Sequence, residues 1–143
     1  RLVAGIYSNT GDGTLGKLKE TIPSKTLNTI DTSQENINLL QQGMFQVTHG
    51  GSMATGKDVM AGANVSINAK TGTSETYTLD VNGNQIYTSV NNVVAYAPSE
   101  NPQIAIGVMI PDTLIKAGGV TTHANQDITR DIVNLYNSMY GFK

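Results

Sequence analysis

The chain contains no cysteine. Structural disulfides, thiolate catalysis and zinc sites built on sulfur are therefore excluded. Charged residues are also scarce, at 14% of the 143 residues, and the net charge of −2 includes no block of like charges. Binding to nucleic acid and electrostatic attachment to a membrane both depend on such blocks, so the composition argues against both kinds of partner.

Long apolar runs are missing as well. The longest, Ile104–Ile110, has the length of a strand rather than of a membrane-spanning helix. We expect no signal peptide and no membrane segment within this chain. A chain of 143 residues is long enough for one domain with a hydrophobic core.

Two helices are predicted from the spacing of apolar residues. Residues 32–35 form a capping box, and the apolar residues after it recur at three- and four-residue steps until the helix ends at residues 49–51. Its apolar face consists of Ile37, Leu40, Met44 and Val47. The second helix is predicted from about Ala124 to Met139, with an apolar stripe of Ile128, Ile132, Leu135, Tyr136 and Met139.

Three strands are predicted between these helices. Short turns marked by Asn82-Gly83 and by residues 98–102 separate them, so they form an antiparallel meander. The strands cover residues 68–78, residues 85–87 continuing into 93–97, and residues 104–110. Because the last strand is continuously apolar, we expect it to be covered on both faces. The predicted fold class is α+β, with helices packed on an antiparallel sheet.

The remaining segments read as strand pieces and loops. Residues 1–30 are strand-like pieces broken by residues 9–13 and by Pro23, and Arg1–Tyr7 is a candidate short strand. Residues 50–64 hold four glycines without a clear period and are predicted to be a loop. Gly118-Gly119 closes a second loop.

The segment Lys70-Thr71-Gly72-Thr73 lies on the first of these strands. An edge strand can accept an extended peptide as a further strand, and a glycine leaves room for close approach. Lys70 supplies a positive charge for a carboxylate, and the backbone N–H of Thr73 can serve as an oxyanion donor. By alternation Lys70 and Gly72 share one face, whereas Thr71 and Thr73 share the other. On the motif alone, a solvated edge lysine is the alternative.

The sequence around this motif resembles the C-terminal part of a class B penicillin-binding protein. Lys-Thr-Gly is one signature of the penicillin-recognising serine enzymes, and Lys70–Glu75 is close to the Lys-Thr-Gly-Thr-Ala-Glu of that family. The preceding helix and the following strands also resemble the family. The stretches concerned are Leu40–Val47, Tyr96–Ala105 and Asp131–Tyr136, and the last two are especially similar to the 2b-type proteins of Gram-positive bacteria.

The resemblance implies a five-stranded antiparallel sheet flanked by helices, part of a penicillin-binding or β-lactamase-like transpeptidase fold. It implies a serine nucleophile that is acylated by D-alanyl-D-alanine stem peptides of peptidoglycan and by β-lactams, without a cofactor or metal. Lys70 would orient the serine of a Ser-x-Asn motif and support proton transfer. Thr71 would pack and hydrogen-bond at the strand, Gly72 would keep the cleft open, and Thr73 would contribute the oxyanion donor and a hydroxyl to the ligand carboxylate. Ser74 and Glu75 complete the substrate-binding set, although Ala69 and Ser74 depart from the usual glycine and alanine.

The nucleophile itself is expected elsewhere. No Ser-x-x-Lys is present, and the one Ser-x-Asn match, Ser89-Val90-Asn91, follows the Lys-Thr-Gly strand instead of preceding it, so we read it as a chance match. Residues 1–143 are therefore predicted to be the C-terminal portion of one transpeptidase domain, inactive alone, with the nucleophile serine and the general-base lysine upstream of Arg1. The parent is expected at the outer face of the bacterial membrane, anchored by an upstream segment, and the fragment is expected to self-associate.

Two other functions remain open. One is a fragment of a serine β-lactamase, which shares the strand motif but is disfavoured by the 2b-type turn and closing helix. The other is a non-catalytic module that binds peptides or the cell wall at the same strand edge. His49 and His123 are predicted to be solvated loop residues rather than metal ligands, and the two Gly-Gly pairs lack the setting of a phosphate loop.

Overall fold

A computed structural model describes residues 5–12, 14–23, 25–114 and 122–143. The chain divides into two compact units, Arg1–Ser33 and Gln34–Lys143. The predicted loop at Gly118-Gly119 lies outside the described residues, as does the start of the predicted strand Arg1–Tyr7. In the described part, no helix is both long enough and apolar enough to cross a membrane.

The first unit is a two-stranded antiparallel ribbon. Strand β1, Gly5–Asn9, pairs with strand β2, Leu15–Thr21. In the connection, Asp12 Oδ1 accepts hydrogen bonds from the Thr14 amide at 3.0 Å and from the hydroxyls of Thr10 and Thr14. These hydrogen bonds hold the pKa of Asp12 well below its usual value.

Among its described residues, the second unit contains three α-helices and three strands. Helix α1, Gln34–His49, and helix α3, Ala124–Tyr140, confirm the two predicted helices. The prediction of a plain loop over residues 50–64 is wrong, because a 3-10 turn at Gly51–Met53 and the short helix α2, Lys57–Met60, lie within it. A single helical turn is too short to show an apolar period in the sequence. The fully buried residue of α2 is Val59.

The three strands form the predicted antiparallel meander. They are β3, Asn68–Leu79, β4, Gln85–Ala97, and β5, Ile104–Leu114, in the spatial order β3-β4-β5. β3 and β5 continue past their predicted ends to Leu79 and Leu114, and β4 is continuous over its predicted range. The register pairs Lys70 with Val94 and Thr73 with Asn91. In the described residues the sheet therefore has three strands, and the other two strands of the chain form the separate ribbon.

One face of the sheet carries the core. Alternate residues of β3 and β4 pack against α2, α3 and Ile67, the residue before β3. The buried residues of this core are Val59, Ile67, Ala69, Val93, Ala95, Ala97 and Val133. On the opposite face Val94 is 55% exposed and Met109 is 68% exposed. The α+β prediction is confirmed. The expectation that Ile104–Ile110 is covered on both faces is wrong, because only alternate residues of this last strand are covered and Ala105, Gly107 and Met109 are exposed.

The face that α3 buries also differs from the predicted one. Its fully or nearly fully buried residues are Asn125, Gln126, Thr129 and Val133. The predicted apolar stripe is largely exposed, with Leu135 at 60% and Ile132 at 41%. α3 packs through Val133, which joins the core, and through polar side chains that bind backbone groups of the segment around α2, rather than through its most apolar stripe.

Candidate active site

A cleft of about 470 Å³ lies beside the Lys-Thr-Gly strand. Its walls are β3, the segment around the 3-10 turn and α2, and the N-terminal end of α3. The lining residues are Ser52, Met53, Ala54, Thr55, Lys57, Thr71, Gly72, Thr73, Asn91, Thr122, His123, Asn125 and Gln126. All belong to the second unit.

Three of the six predicted site residues line this cleft. Thr71 and Thr73 lie on the helix-covered face of β3, and Gly72 lies between them. A Cβ atom added to Gly72 would be 3.7 Å from the Cβ of Asn92, which is ordinary contact, so the chain itself leaves room for a methyl group there. Packing within the described residues therefore does not require glycine at this position.

The other three predicted residues lie outside the cleft lining. Lys70 is exposed on the opposite face of the strand, and its Nζ donates a hydrogen bond to the carbonyl oxygen of Thr71. Ser74 and Glu75 are exposed farther along β3. The predicted separation of Lys70 from the two threonines by strand alternation is confirmed.

The wall opposite β3 is held in place by α3. Side chains at three- and four-residue steps, from the residue before α3 along the helix, reach the segment around α2, and we call this set the polar ladder of α3. Its contacts are His123 Nδ1 with Asp58 Oδ2, Gln126 Nε2 with the Thr55 carbonyl at 3.0 Å, Arg130 Nη1 with the Ala61 carbonyl at 3.1 Å, and Asn134 Nδ2 with the Gly62 carbonyl at 2.9 Å. Four contacts thus fix a segment that has little regular structure of its own.

The charges around the cleft favour an anion. Lys57 is exposed in the lining, whereas the carboxylate of the next residue, Asp58, is in contact with His123. Arg130 lies beyond it, paired with Asp127 at 2.8 Å and Asp131 at 2.9 Å, and these carboxylates raise its pKa. A negatively charged ligand would therefore meet an unpaired cation in the lining and no unpaired carboxylate among the described lining residues.

The prediction of solvated loop histidines is wrong for His49, which is the partly buried last residue of α1, whereas His123 is exposed as predicted. The His49 ring stacks on Phe45 with the centroids 3.9 Å apart, and its Nε2 lies 3.0 Å from Ser66 Oγ. His123 contacts Asp58. Ser66 and Asp58 are distant in sequence from these histidines, so no local pattern reveals them, whereas His49 Nδ1 also lies 2.7 Å from Oγ1 of the neighbouring Thr48. In the part of the chain that the structure describes, no three His, Cys, Asp or Glu residues are grouped to hold a metal.

Sequence reasoning assigned none of the other ten lining residues to the site, among them Thr55, Lys57, Asn91 and Gln126. Thr55 and Lys57 lie in the segment that was read as a plain loop. Asn91 faces the cleft because the register places it opposite Thr73, and its serine neighbour in the Ser-x-Asn match, Ser89, is buried outside the lining. The strand pairing is the one signal that points to Asn91.

A family profile described as "Penicillin binding protein transpeptidase domain" matches residues 1–134. The chain belongs to this family. It is 42% identical over 141 residues, or 98% of its length, to Penicillin-binding protein 2B of Streptococcus pneumoniae serotype 2 and covers 20% of that protein. It is 29% identical over 138 residues, or 95% of its length, to Penicillin-binding protein 2A of Bacillus subtilis and covers 19% of it.

The solved structure of penicillin-binding protein 2B from Streptococcus pneumoniae strain R6 matches the chain with a TM-score of 0.71 at 39% identity. The match covers 98% of this chain and 22% of that one. The chain thus spans about a fifth of the length of the relatives it matches. The predicted resemblance to a 2b-type penicillin-binding protein and the predicted fold are confirmed.

Proposed function

We propose that residues 1–143 are the C-terminal portion of the transpeptidase domain of a D,D-transpeptidase. This parent protein cross-links peptidoglycan stem peptides and is acylated by β-lactams, and an upstream segment supplies its nucleophile serine and general-base lysine. The observation that carries the proposal is the placement of Thr71, Gly72 and Thr73 along one wall of an anion-favouring cleft. The family membership supports the same reaction.

The edge of β3 supports an oxyanion role for Thr73. The Lys70 ammonium reaches the carbonyl of Thr71, and β3 is an edge strand in the described sheet. Backbone groups of alternate residues in an antiparallel edge strand face the same way, so the Thr73 N–H faces this side as well. An N–H group placed there stabilises a tetrahedral intermediate, and one such donor contributes roughly 10²–10³-fold in rate.

The side chains of the motif have separate roles in this proposal. The hydroxyls of Thr71 and Thr73 receive the ligand carboxylate, and Gly72 lets the ligand approach the strand. Lys70, on the opposite face, orients the Ser-x-Asn serine that the upstream segment brings. Ser74 and Glu75 extend the substrate-binding edge beyond the cleft.

The location and the self-association of the chain are part of the same proposal. The parent acts at the outer face of the bacterial membrane and is anchored there by an upstream segment. The uncovered sheet face with Val94 and Met109 and the exposed residues of α3 are the surfaces that the upstream segment would cover. Without that segment these surfaces favour self-association of the chain.

Labelling with penicillin tests whether the site is divided between this chain and an upstream segment that carries the nucleophile. We expect no covalent adduct when this chain is incubated with labelled penicillin, because it holds no Ser-x-x-Lys. The parent is expected to be labelled, and Lys70→Ala in the parent should slow acylation at least ~10²-fold while the circular dichroism spectrum is unchanged. Lys19→Ala, an exposed lysine of β2, is the matched control. An adduct on this chain, or unchanged acylation of Lys70→Ala, would contradict the proposal.

A non-catalytic peptide-binding module is the second candidate. It is favoured by one observation, namely that β3 is an edge strand of the described sheet, to which an extended peptide can add as a further strand. It predicts reversible binding of D-alanyl-D-alanine peptides without acylation of the parent. Calorimetric binding by a parent that penicillin does not label would favour this candidate over the transpeptidase.

A further inference from the structure

Thr55 faces the Lys-Thr-Gly strand from the opposite wall of the cleft. Its Oγ1 is 3.0 Å from the Oγ1 of Thr71. Its carbonyl accepts a hydrogen bond from Gln126 Nε2 at 3.0 Å, and Gln126 is only 4% exposed. The next residue, Gly56, is buried and donates its N–H to the Val47 carbonyl at 2.8 Å. The backbone of Thr55 is therefore held on both sides, whereas its side chain is exposed in the cleft.

The contact between the two hydroxyls restricts what Thr71 can offer a ligand. Each hydroxyl has one proton to donate and can accept from others. When Thr55 donates to Thr71, the proton of Thr71 is left for the ligand. A carboxylate accepts hydrogen bonds and donates none, so a carboxylate beside β3 favours this arrangement.

We propose that Thr55 is a positioning residue of the site. It donates to Thr71 Oγ1 and thereby makes the Thr71 hydroxyl a fixed donor to the ligand carboxylate, while Gln126 holds Thr55 in place. This inference rests on the proposed function, in which Thr71 contacts that carboxylate. It adds a residue from outside the motif, 16 positions away along the chain.

The pair should select for a charged acceptor. A hydroxyl that is fixed as a donor interacts more strongly with a carboxylate than with a neutral ester, because charge-assisted hydrogen bonds are about twice as strong as neutral ones. Without Thr55 the Thr71 hydroxyl rotates freely and loses this bias. The effect should therefore fall on the binding of carboxylate ligands and leave the bond-forming step unchanged.

Acylation of the parent by benzylpenicillin and by its methyl ester tests this role. Thr55→Val keeps the shape and removes the hydroxyl, Thr55→Ser restores the hydroxyl, and Thr78→Val makes the same change at the far end of β3. We expect Thr55→Val to raise the half-saturating concentration of benzylpenicillin about 5- to 10-fold at an unchanged limiting rate, and to change acylation by the ester less than twofold. Thr55→Ser should recover most of the loss, and Thr78→Val should show none.

Three outcomes would overturn the role of Thr55. They are an unchanged half-saturating concentration in Thr55→Val, an equal loss for acid and ester, and a loss that Thr55→Ser does not recover. These outcomes are separable from failure of the proposed function. If the proposed function fails, the parent is not acylated at all, or its Lys70→Ala variant is acylated normally. If only the role of Thr55 fails, the Lys70→Ala variant is still impaired and only Thr55→Val departs from its expected result.

Discussion

Asn68 begins the strand that carries the Lys-Thr-Gly motif, and its side chain joins that strand to three other parts of the second unit. Asn68 Nδ2 donates to the Gln41 carbonyl of α1 at 3.1 Å and to the Tyr96 hydroxyl of β4 at 2.5 Å. Its Oδ1 accepts from Ser99 Oγ at 2.6 Å. The residue is 3% exposed, so water cannot readily replace these partners. Asn68→Ala removes all three hydrogen bonds at once.

The stability lost in Asn68→Ala depends on the number of hydrogen bonds removed and on the hydrogen bonds that their partners retain. A buried hydrogen bond contributes about 1 kcal/mol net, so three give about 3 kcal/mol. Ser99 keeps its contact with Ser66 at 2.7 Å, which lowers the cost, whereas the Tyr96 hydroxyl loses its donor. We therefore expect Asn68→Ala to lower the free energy of unfolding by roughly 2–4 kcal/mol, a large part of the ~5–15 kcal/mol of a typical domain.

Urea denaturation followed by far-ultraviolet circular dichroism measures this loss. With a slope of about 1.5 kcal/mol per M, the midpoint should fall by roughly 2 M. Asn84→Ala is the matched control, because Asn84 is exposed and its side chain donates one hydrogen bond, to Asp80 at 3.0 Å. A loss below about 1 kcal/mol for Asn68→Ala, or one equal to that of Asn84→Ala, would refute the reasoning.

Two further predictions concern the wall segment and the hairpin. Gly56→Ala should lower the free energy of unfolding by about 1–3 kcal/mol, because the added Cβ would lie 3.0 Å from Val47 Cγ1. The control Gly107→Ala, whose Cβ would have no atom within 4 Å, should change the free energy of unfolding by less than ~1 kcal/mol. Equal urea midpoints for the two variants would contradict this prediction. A hydrogen bond from the Asn84 side chain, together with backbone N–H donors, holds the pKa of Asp80 below its usual 3.8. The ionised Asp80 carboxylate therefore stabilises the hairpin fully above about pH 4, and this stabilisation is lost as the pH falls further. In an NMR titration Asn84→Ala should move the Asp80 midpoint back toward 3.8, and an unmoved midpoint would show that another group causes the shift.

Local signals predicted the elements of the second unit well. The capping box located α1, and the turn residues located the two links of the meander, because helix caps and turns depend on neighbouring residues. The faces of the elements were harder to predict. Leu135 belongs to the apolar stripe of α3 but is exposed, whereas Gln126 is buried because its amide binds a carbonyl 71 residues away. No pattern within α3 contains that partner.

The sequence pattern also could not identify which residue of β4 lies opposite Thr73 in the site. A two-residue turn at Asn82-Gly83 would pair Thr73 with Asn92 and place Asn92 beside the cleft. The hairpin instead closes with the Asp80 amide on the Asn84 carbonyl at 2.9 Å, and Thr73 pairs with Asn91. A shift of one residue exchanges the two faces of a strand. The motif was therefore predictable from the sequence, whereas its cross-strand neighbour required the observed register.

The polar ladder of α3 has a consequence for reading natural variation in this family. The wall facing Thr71 is fastened by Gln126, Arg130 and Asn134, which lie more than fifty positions after the motif. Substitutions there would change the width of the cleft without touching a signature residue. Surveys of sequence variation that cover only the codons around Lys-Thr-Gly would record such variants as unaltered, so the closing helix belongs in the sequenced window.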